Sequence, residues 1–339
     1  VNVTATDSLV GLDKIVIRLY NSTLSQIRIN ETNSSPFFIN YTGLADGLYY
    51  YNATANDTAG NTVNLETRNI TLDTTKPNVQ FVANTETSGS YKSTNSINVN
   101  VTASDTNLDK IVIRLYNSTL SQIRTNESSS SPFNITYSSL ADGIYYFNST
   151  ANDTANNQNN TETRNVTVDT TNPLIQFVAP TAANGTSARR TWIFANVSIT
   201  ETNFQNVTFQ LFNSTGLVNE TTFTDSRREI NWTGLSNNNV QYQYNVSTFD
   251  QAANTNKTET RFINLTQDQP PTVTILYPQN ITYNVNVSQL NYTATDDISL
   301  SACWYSLDGG ATNSTPDFDP CANFSGLTSN EGSNTWGVY

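Results

Sequence analysis

The stretch Gly43–Asn61, GLADGLYYYNATANDTAGN, returns 96 positions later as Ser139–Asn157, SLADGIYYFNSTANDTANN. In the first copy Tyr49, Tyr51, Ala53 and Ala55 fall on one side of an extended chain, and Tyr50, Asn52, Thr54 and Asn56 on the other. Apolar residues at every second position mark a strand with one buried face. The second copy keeps the phase with Tyr145, Phe147 and Ala151, and a more distant third keeps it with Tyr242, Tyr244 and Val246. Asp57–Asn61 then supplies the Asp, Gly and Asn of a hairpin turn.

The neighbouring segments repeat as well. DKIVIRLYNSTLSQIR at Asp13–Arg28 recurs letter for letter at Asp109–Arg124, and TRNITLDTTKP (Thr67–Pro77) becomes TRNVTVDTTNP (Thr163–Pro173) and TRFINLTQDQP (Thr260–Pro270). VNVTATD at Val1–Asp7 returns as VNVTASD, ANVSITE and LNYTATD, starting at Val99, Ala195 and Leu290, so four copies follow one another at a period of 95 to 98 residues. Each alternates with period two: Ile15, Ile17 and Leu19 match Ile111, Ile113 and Leu115, then Val207, Phe209 and Leu211. Helical periodicity is missing throughout. Short alternating strands separated by Asp, Asn, Gly and Pro turns predict an all-β chain of tandem Ig-like antiparallel sandwiches in an elongated array, with strands running alternately up and down.

Proline follows the last strand of a copy and opens the next, which sets boundaries at 1–76, 77–172, 173–269 and 270–339. The first copy has no counterpart of Pro77–Ser96, its opening strand, and the fourth stops at NTWGVY (Asn334–Tyr339) before a final hairpin. The chain also begins at Val1 rather than at a methionine. Two explanations stay open: a window on a longer array, or end domains completed by strand donation between subunits.

Composition narrows the chemistry. Net charge is −12, Lys and Arg number 16 against 28 Asp and Glu, and no basic run exists, which argues against nucleic acid. No apolar run approaches the roughly 20 residues of a membrane span. With His at 0, Ser-His-Asp and Cys-His nucleophile systems and HExxH metal sites are excluded, leaving carboxylate chemistry such as glycoside hydrolysis. Hydrophobic residues make up 36%, yet 36 aromatic side chains are too many for a disordered chain.

LADGLYYYNATANDTAGN followed by LDTTKP resembles the tandem Ig-like or fibronectin-III-like repeats of prokaryotic surface proteins and adhesins. The similarity spans essentially the whole chain and identifies a repeat type, not an activity. It implies a tyrosine corner at Leu44 with Tyr49 and at Leu140 with Tyr145. The third copy departs, with Leu235 and Tyr242 separated by two extra residues.

Asparagine recurs at outward positions such as Asn52, Asn100, Asn148, Asn196 and Asn245. Thirty of 49 asparagines head Asn-x-Ser/Thr sequons, in a chain with 85 Ser and Thr. The first copy holds Asn2, Asn21, Asn30, Asn33, Asn40, Asn52, Asn56 and Asn69, and the second Asn100, Asn117, Asn126, Asn134, Asn148, Asn152, Asn159 and Asn165. The third holds Asn184, Asn196, Asn206, Asn213, Asn219, Asn231, Asn245, Asn256 and Asn264, and the fourth Asn280, Asn286, Asn291, Asn313 and Asn323. An outward strand face places Asn and Thr on the same side without any modification. It does not explain why Asn is preferred there to Lys, Gln or Asp, whereas covalent N-glycans on a secreted protein do. Such density is similar to that of archaeal S-layer glycoproteins and related surface filaments.

Acidic residues close equivalent strands near the linkers. Asp73, Asp105 and Asp153 are expected at one junction, Asp169, Glu201 and Asp250 at the next, and Asp268 and Asp296, with Asp297 beside it, at the third. Three carboxylates suit Ca²⁺, which takes oxygen ligands and would stiffen a linker. Asx turns account for the same residues without an ion, and DxDxDG spacing is lacking. No other cofactor is called for. Cys303 and Cys321, alone in the fourth copy, suit a disulfide, since a catalytic thiol lacks a histidine partner.

The expected function is structural: a glycosylated subunit or stalk of an extracellular filament, surface layer or adhesin that self-associates through repeated domains. The alternative is an adhesive binding module in which Tyr20, Tyr50, Tyr116, Tyr146 and Trp304 grip sugars or a partner surface. A carboxylate enzyme is a third reading, set against acids that recur in every copy.

Overall fold

A computed structural model describes residues 1–9, 11–318 and 321–339. It holds strands and no helix among the described residues, and therefore no helix long and apolar enough to cross a membrane. The chain divides into two compact units, Val1–Asn172 with Gln251–Asn254, and Pro173–Asp250 with Thr255–Tyr339. Each sheet draws its strands from a single repeat.

The second repeat shows the plan. One sheet holds Asn78–Phe81, Ile97–Ser104 and Phe133–Tyr137, with Ile97–Ser104 central. The other runs Gln122–Ser128, Leu108–Tyr116, Gly143–Asp153, Arg164–Val168 and Ser90–Lys92, with Gln158–Asn160 added to Gly143–Asp153. Alternation decides what goes inside. Ile97, Val99 and Val101 of one sheet meet Ile111, Ile113, Leu115, Phe147 and Val166 of the other, each 0% exposed. Phe81 sets its ring edge against Phe147 at 5.4 Å, and Tyr137 donates its hydroxyl to the Ile113 carbonyl at 3.3 Å. Burial pushes the Tyr137 hydroxyl up to about 12.

Two details differ from a plain up-and-down order. The chain crosses between sheets after Gln122–Ser128, an edge strand, to Phe133–Tyr137 in the other sheet. Ser90–Lys92 pairs with Val166–Val168 in parallel, so the repeat's second and last strands lie side by side. The third repeat has the same two sheets, including the parallel pair Thr186–Ala188 and Ile263–Leu265.

Register is copied with the letters. Ile17 faces Ala53 as Ile113 faces Ser149, and bulges fall between Leu12 and Lys14, Leu108 and Lys110, and Phe204 and Asn206. The tyrosine corner recurs: Tyr49 and Tyr145 donate to the Ala45 and Ala141 carbonyls at 2.9 Å. In the third repeat Tyr242 reaches the Ser236 carbonyl at 3.3 Å, so the two extra residues bulge out and the corner survives.

The fourth repeat pairs Thr272–Tyr277, Gln289–Thr295 and Phe324–Ser325 in one sheet, and Tyr305–Ser306 with Gly337–Val338 in another. Its sulfurs Cys303 and Cys321 are bonded.

Candidate functional site

The junction between the first and second repeats lies within one unit and gathers carboxylates. The Leu108–Lys110 bulge and the turn after Asp153 bring Asp105 and Asp153 to the end of the sandwich where the linker enters. Oxygens of Asp73, Asp105 and Asp153 lie within 4.8 Å of one another. Asp153 is 2% exposed, and among the described residues no Lys or Arg forms an ion pair with any of the three. Like charges this close repel by about 3–4 kcal/mol per pair at an effective dielectric constant near 20.

Amides offset that repulsion. Asn107 donates its backbone N–H to Asp105 and its Nδ2 to Asp73, both at 2.7 Å. Asn157 donates Nδ2 to Asp153 at 2.7 Å and to the Asp73 carbonyl at 2.9 Å, while Asn159 Nδ2 reaches the Pro77 carbonyl at 3.0 Å. The same oxygens could ligate a hard cation, as Ca²⁺ takes carboxylate and carbonyl oxygens together. Nothing in the sequence pattern singles out these three asparagines for the junction, although Asn203 matches Asn107, and Asn61 and Asn254 match Asn157, from copy to copy.

Equivalent acids recur in the later repeats. Glu201 takes the place of Asp105 in the third repeat and accepts the Asn203 N–H at 2.7 Å, and Asp250, 0% exposed, takes the place of Asp153. Asp169 follows the last strand of the second repeat. Oxygens of Asp268, Asp296 and Asp297 again lie within 4.8 Å. Asp296 caps its own turn through the Ile298 N–H at 2.7 Å, and Asp297 takes a 2.6 Å ion pair from Arg189.

A second acidic feature secures the linkers. Asp46 accepts the Thr74 N–H and hydroxyl at 3.0 and 2.9 Å and the Thr75 hydroxyl at 2.7 Å. Asp142 does the same for Thr170 and Thr171 at 3.0, 2.8 and 2.7 Å. The hydroxyls of Thr75 and Thr171 lead in holding these two carboxyls below the usual aspartate value. The clasp joins the ADG of one motif to the DTT of another. In the third repeat SNNN replaces ADG and TQD replaces DTT, so both halves are gone together. That joint loss is the signal the sequence carries for it.

None of the 30 sequon asparagines is buried. The aromatic candidates are engaged locally: Trp304 stacks on Tyr339 at 6.3 Å, and the Tyr20 and Tyr116 hydroxyls reach Asn52 and Asn148 at 3.4 Å. Tyr50 and Tyr146 are half-buried.

No protein-family model and no curated protein matches the chain. Among solved structures, a tetra-tandem repeat from the extending region of a large adhesion protein aligns over 100% of this chain and 85% of its own, at 16% identity and a TM-score of 0.33. Fibronectin(III)-like modules of Clostridium thermocellum CbhA align over 56% and 94% at 13% identity and a TM-score of 0.32. Domains A168–A170 of titin align over 78% and 97% at 10% identity and a TM-score of 0.38. Likenesses this distant carry no inference about activity, ligand or partner.

Proposed function

We propose that the chain is a structural, heavily N-glycosylated part of an extracellular assembly of surface-layer, filament or adhesin-stalk type, built by prokaryotic cells, with archaea favoured by the sequon density. The observation that carries this reading is the copying of register, bulges and corner from repeat to repeat, with linker ties made by Asn107, Asn157 and Asn159. Selection for a chemical site preserves one constellation; selection for a building unit preserves the unit and its joints. Acidic groups recurring in each repeat support a scaffold over an enzyme. Sequon asparagines that all reach solvent support covalent glycans, which would hydrate the faces and discourage sheet-on-sheet association.

Microscopy of the native material tests the proposal: filaments or a lattice, with a mass that falls on enzymatic deglycosylation, are expected. Dispersed particles of unmodified mass at every concentration would overturn it. Calcium at Asp73, Asp105 and Asp153 belongs to the same reading, since neutralising three carboxylates would stiffen the joint. EDTA should then lower the melting temperature of this region and Ca²⁺ restore it. A melting curve indifferent to both removes the ion from the proposal.

A further inference from the structure

Sequons differ in what their carboxamides already do. Asn21, Asn117 and Asn213 stand at equivalent hairpin tips, after the strands Leu12–Tyr20 and Leu108–Tyr116 and at the end of Phe204–Asn213. Asn21 Oδ1 accepts the Thr23 N–H at 3.1 Å, the Thr23 hydroxyl at 2.8 Å and the Ser25 N–H at 2.9 Å. Asn117 repeats this with Thr119 and Ser121 at 3.1, 2.8 and 3.0 Å, and Asn213 with Thr215 at 2.9 and 2.6 Å. Every bond goes to Oδ1. Nδ2 donates to no partner among the described residues and is not among the buried unpartnered atoms.

A turn brings the backbone N–H and hydroxyl two residues on to the same oxygen. Along a strand the rise is ~3.3 Å per residue, so Asn and the Ser or Thr two places on stand about 6–7 Å apart on the same face. Left-handed residues close the tips: Leu24 at φ 61°, Leu120 at φ 59° and Gly216 at φ 125°. Leu24 and Leu120 are also 60% and 63% exposed, so the tips stand clear of the sheets.

Three strand sequons use the nitrogen instead. Asn100 Nδ2 donates to the Ala83 carbonyl at 3.1 Å while its Oδ1 is buried, and Asn159 and Asn256 donate to the Pro77 and Pro173 carbonyls at 3.0 and 2.9 Å. Asn219 does receive its own Thr221 hydroxyl at 2.9 Å, but Trp232 Nε1 holds the same oxygen at 2.9 Å and pins the group to the sheet.

We propose that the glycans are carried by the hairpin tips, Asn21, Asn117 and Asn213, and that Asn100, Asn159 and Asn256 are scaffold asparagines that stay unmodified. This rests on the chain being N-glycosylated. In the transfer, the bond from Nδ2 to the sugar's anomeric carbon forms as that carbon's bond to phosphate breaks. The lipid-linked phosphate of the activated donor leaves with the electron pair, and Nδ2 gives up one proton. The tips offer a nitrogen with both hydrogens free and a carboxamide already oriented.

The test is glycopeptide mapping of the full chain secreted from an N-glycosylating host. Occupancy at the tips is expected to exceed that at Asn100, Asn159 and Asn256 by about tenfold, the ratio of a ~1.4 kcal/mol preference. Ser25→Pro, which removes one donor to Asn21 Oδ1 and leaves the sequon intact, should lower occupancy at Asn21 while Asn117 in the same molecule is unchanged. Glycans at Asn100, Asn159 and Asn256 equal to or above those at the tips overturn this assignment alone. Absence of glycan at every sequon overturns both it and the glycoprotein reading.

Discussion

In the second repeat, Phe147 sits at 0% exposure among Ile111, Ile113, Leu115 and Val166, and the linker that follows is clasped by Asp142. In the fourth, Val287, Leu290, Tyr292 and Leu327 are the buried hydrophobics other than Cys303 among the described residues, and the linker before it, Thr266–Pro270, has neither clasp residue. The same sandwich plan is thus held by an interdigitated core in one place and by a covalent staple in the other. A thin core leaves little apolar area to offset chain entropy, and closing an 18-residue separation between Cys303 and Cys321 supplies what the core does not.

Truncating the central aromatic of the second repeat should break this contrast most severely. Phe147→Ala should cost about 3–5 kcal/mol and abolish slow hydrogen exchange across Ile97–Val168, leaving the fourth repeat's exchange unchanged. Reducing the disulfide should cost the fourth repeat ~3 kcal/mol in the chain-entropy model, read as faster hydrogen exchange within Thr272–Val338 against unchanged exchange in the second repeat. If the second repeat loosened equally, the division between core and staple would fail. Asp142→Asn should shift melting by under about 1 kcal/mol, as expected for an exposed carboxylate. It should nonetheless speed proteolysis at Thr170–Pro173 several-fold, while cleavage at Thr266–Pro270 is already fast in the parent.

Acid gives the finest test. Asp46 and Asp142 have folded pKa values below the ordinary aspartate value, so the unfolded or unclasped chain binds protons more readily. Their contribution is complete above the ordinary aspartate value and is lost as pH falls through the lowered one. Cleavage at Asp73–Pro77 and Asp169–Pro173 should rise across that window, with no matching rise traceable to a clasp at Thr266–Pro270. A flat profile at all three linkers would show that the threonine ties do not restrain the chain.

Much of the strand plan was legible because period-two alternation reports directly which face is buried. Ile15, Ile17 and Leu19 announce themselves, and so do Tyr242, Tyr244 and Val246. The acidic trio at the first junction was also legible, since Asp105 and Asp153 close strands whose polarity is fixed by pairing. The clasp was not, because Asp46 and Thr74 are 28 residues apart and meet only where Gly47 pairs with Leu72. Nor was the parallel pair at Ser90–Lys92, a three-residue strand too short for periodicity. Sequons looked alike in the sequence for a related reason: whether Asn offers its oxygen or its nitrogen to the fold depends on a neighbour elsewhere, as Asn159 does on Pro77.

The parallel pairing of Ser90–Lys92 with Val166–Val168 has a mechanical consequence. Ser90–Lys92, the second strand of this repeat, lies beside the strand by which the chain leaves, and both run the same way. Tension applied along the chain therefore drags the two segments past each other, loading their hydrogen bonds together, including Gly89 N–H to the Asn165 carbonyl and Asp169 N–H to the Lys92 carbonyl. Bonds loaded in shear must fail at once, whereas those of a hairpin pulled open fail singly. The second and third repeats both carry the pair, each through a segment only three residues long.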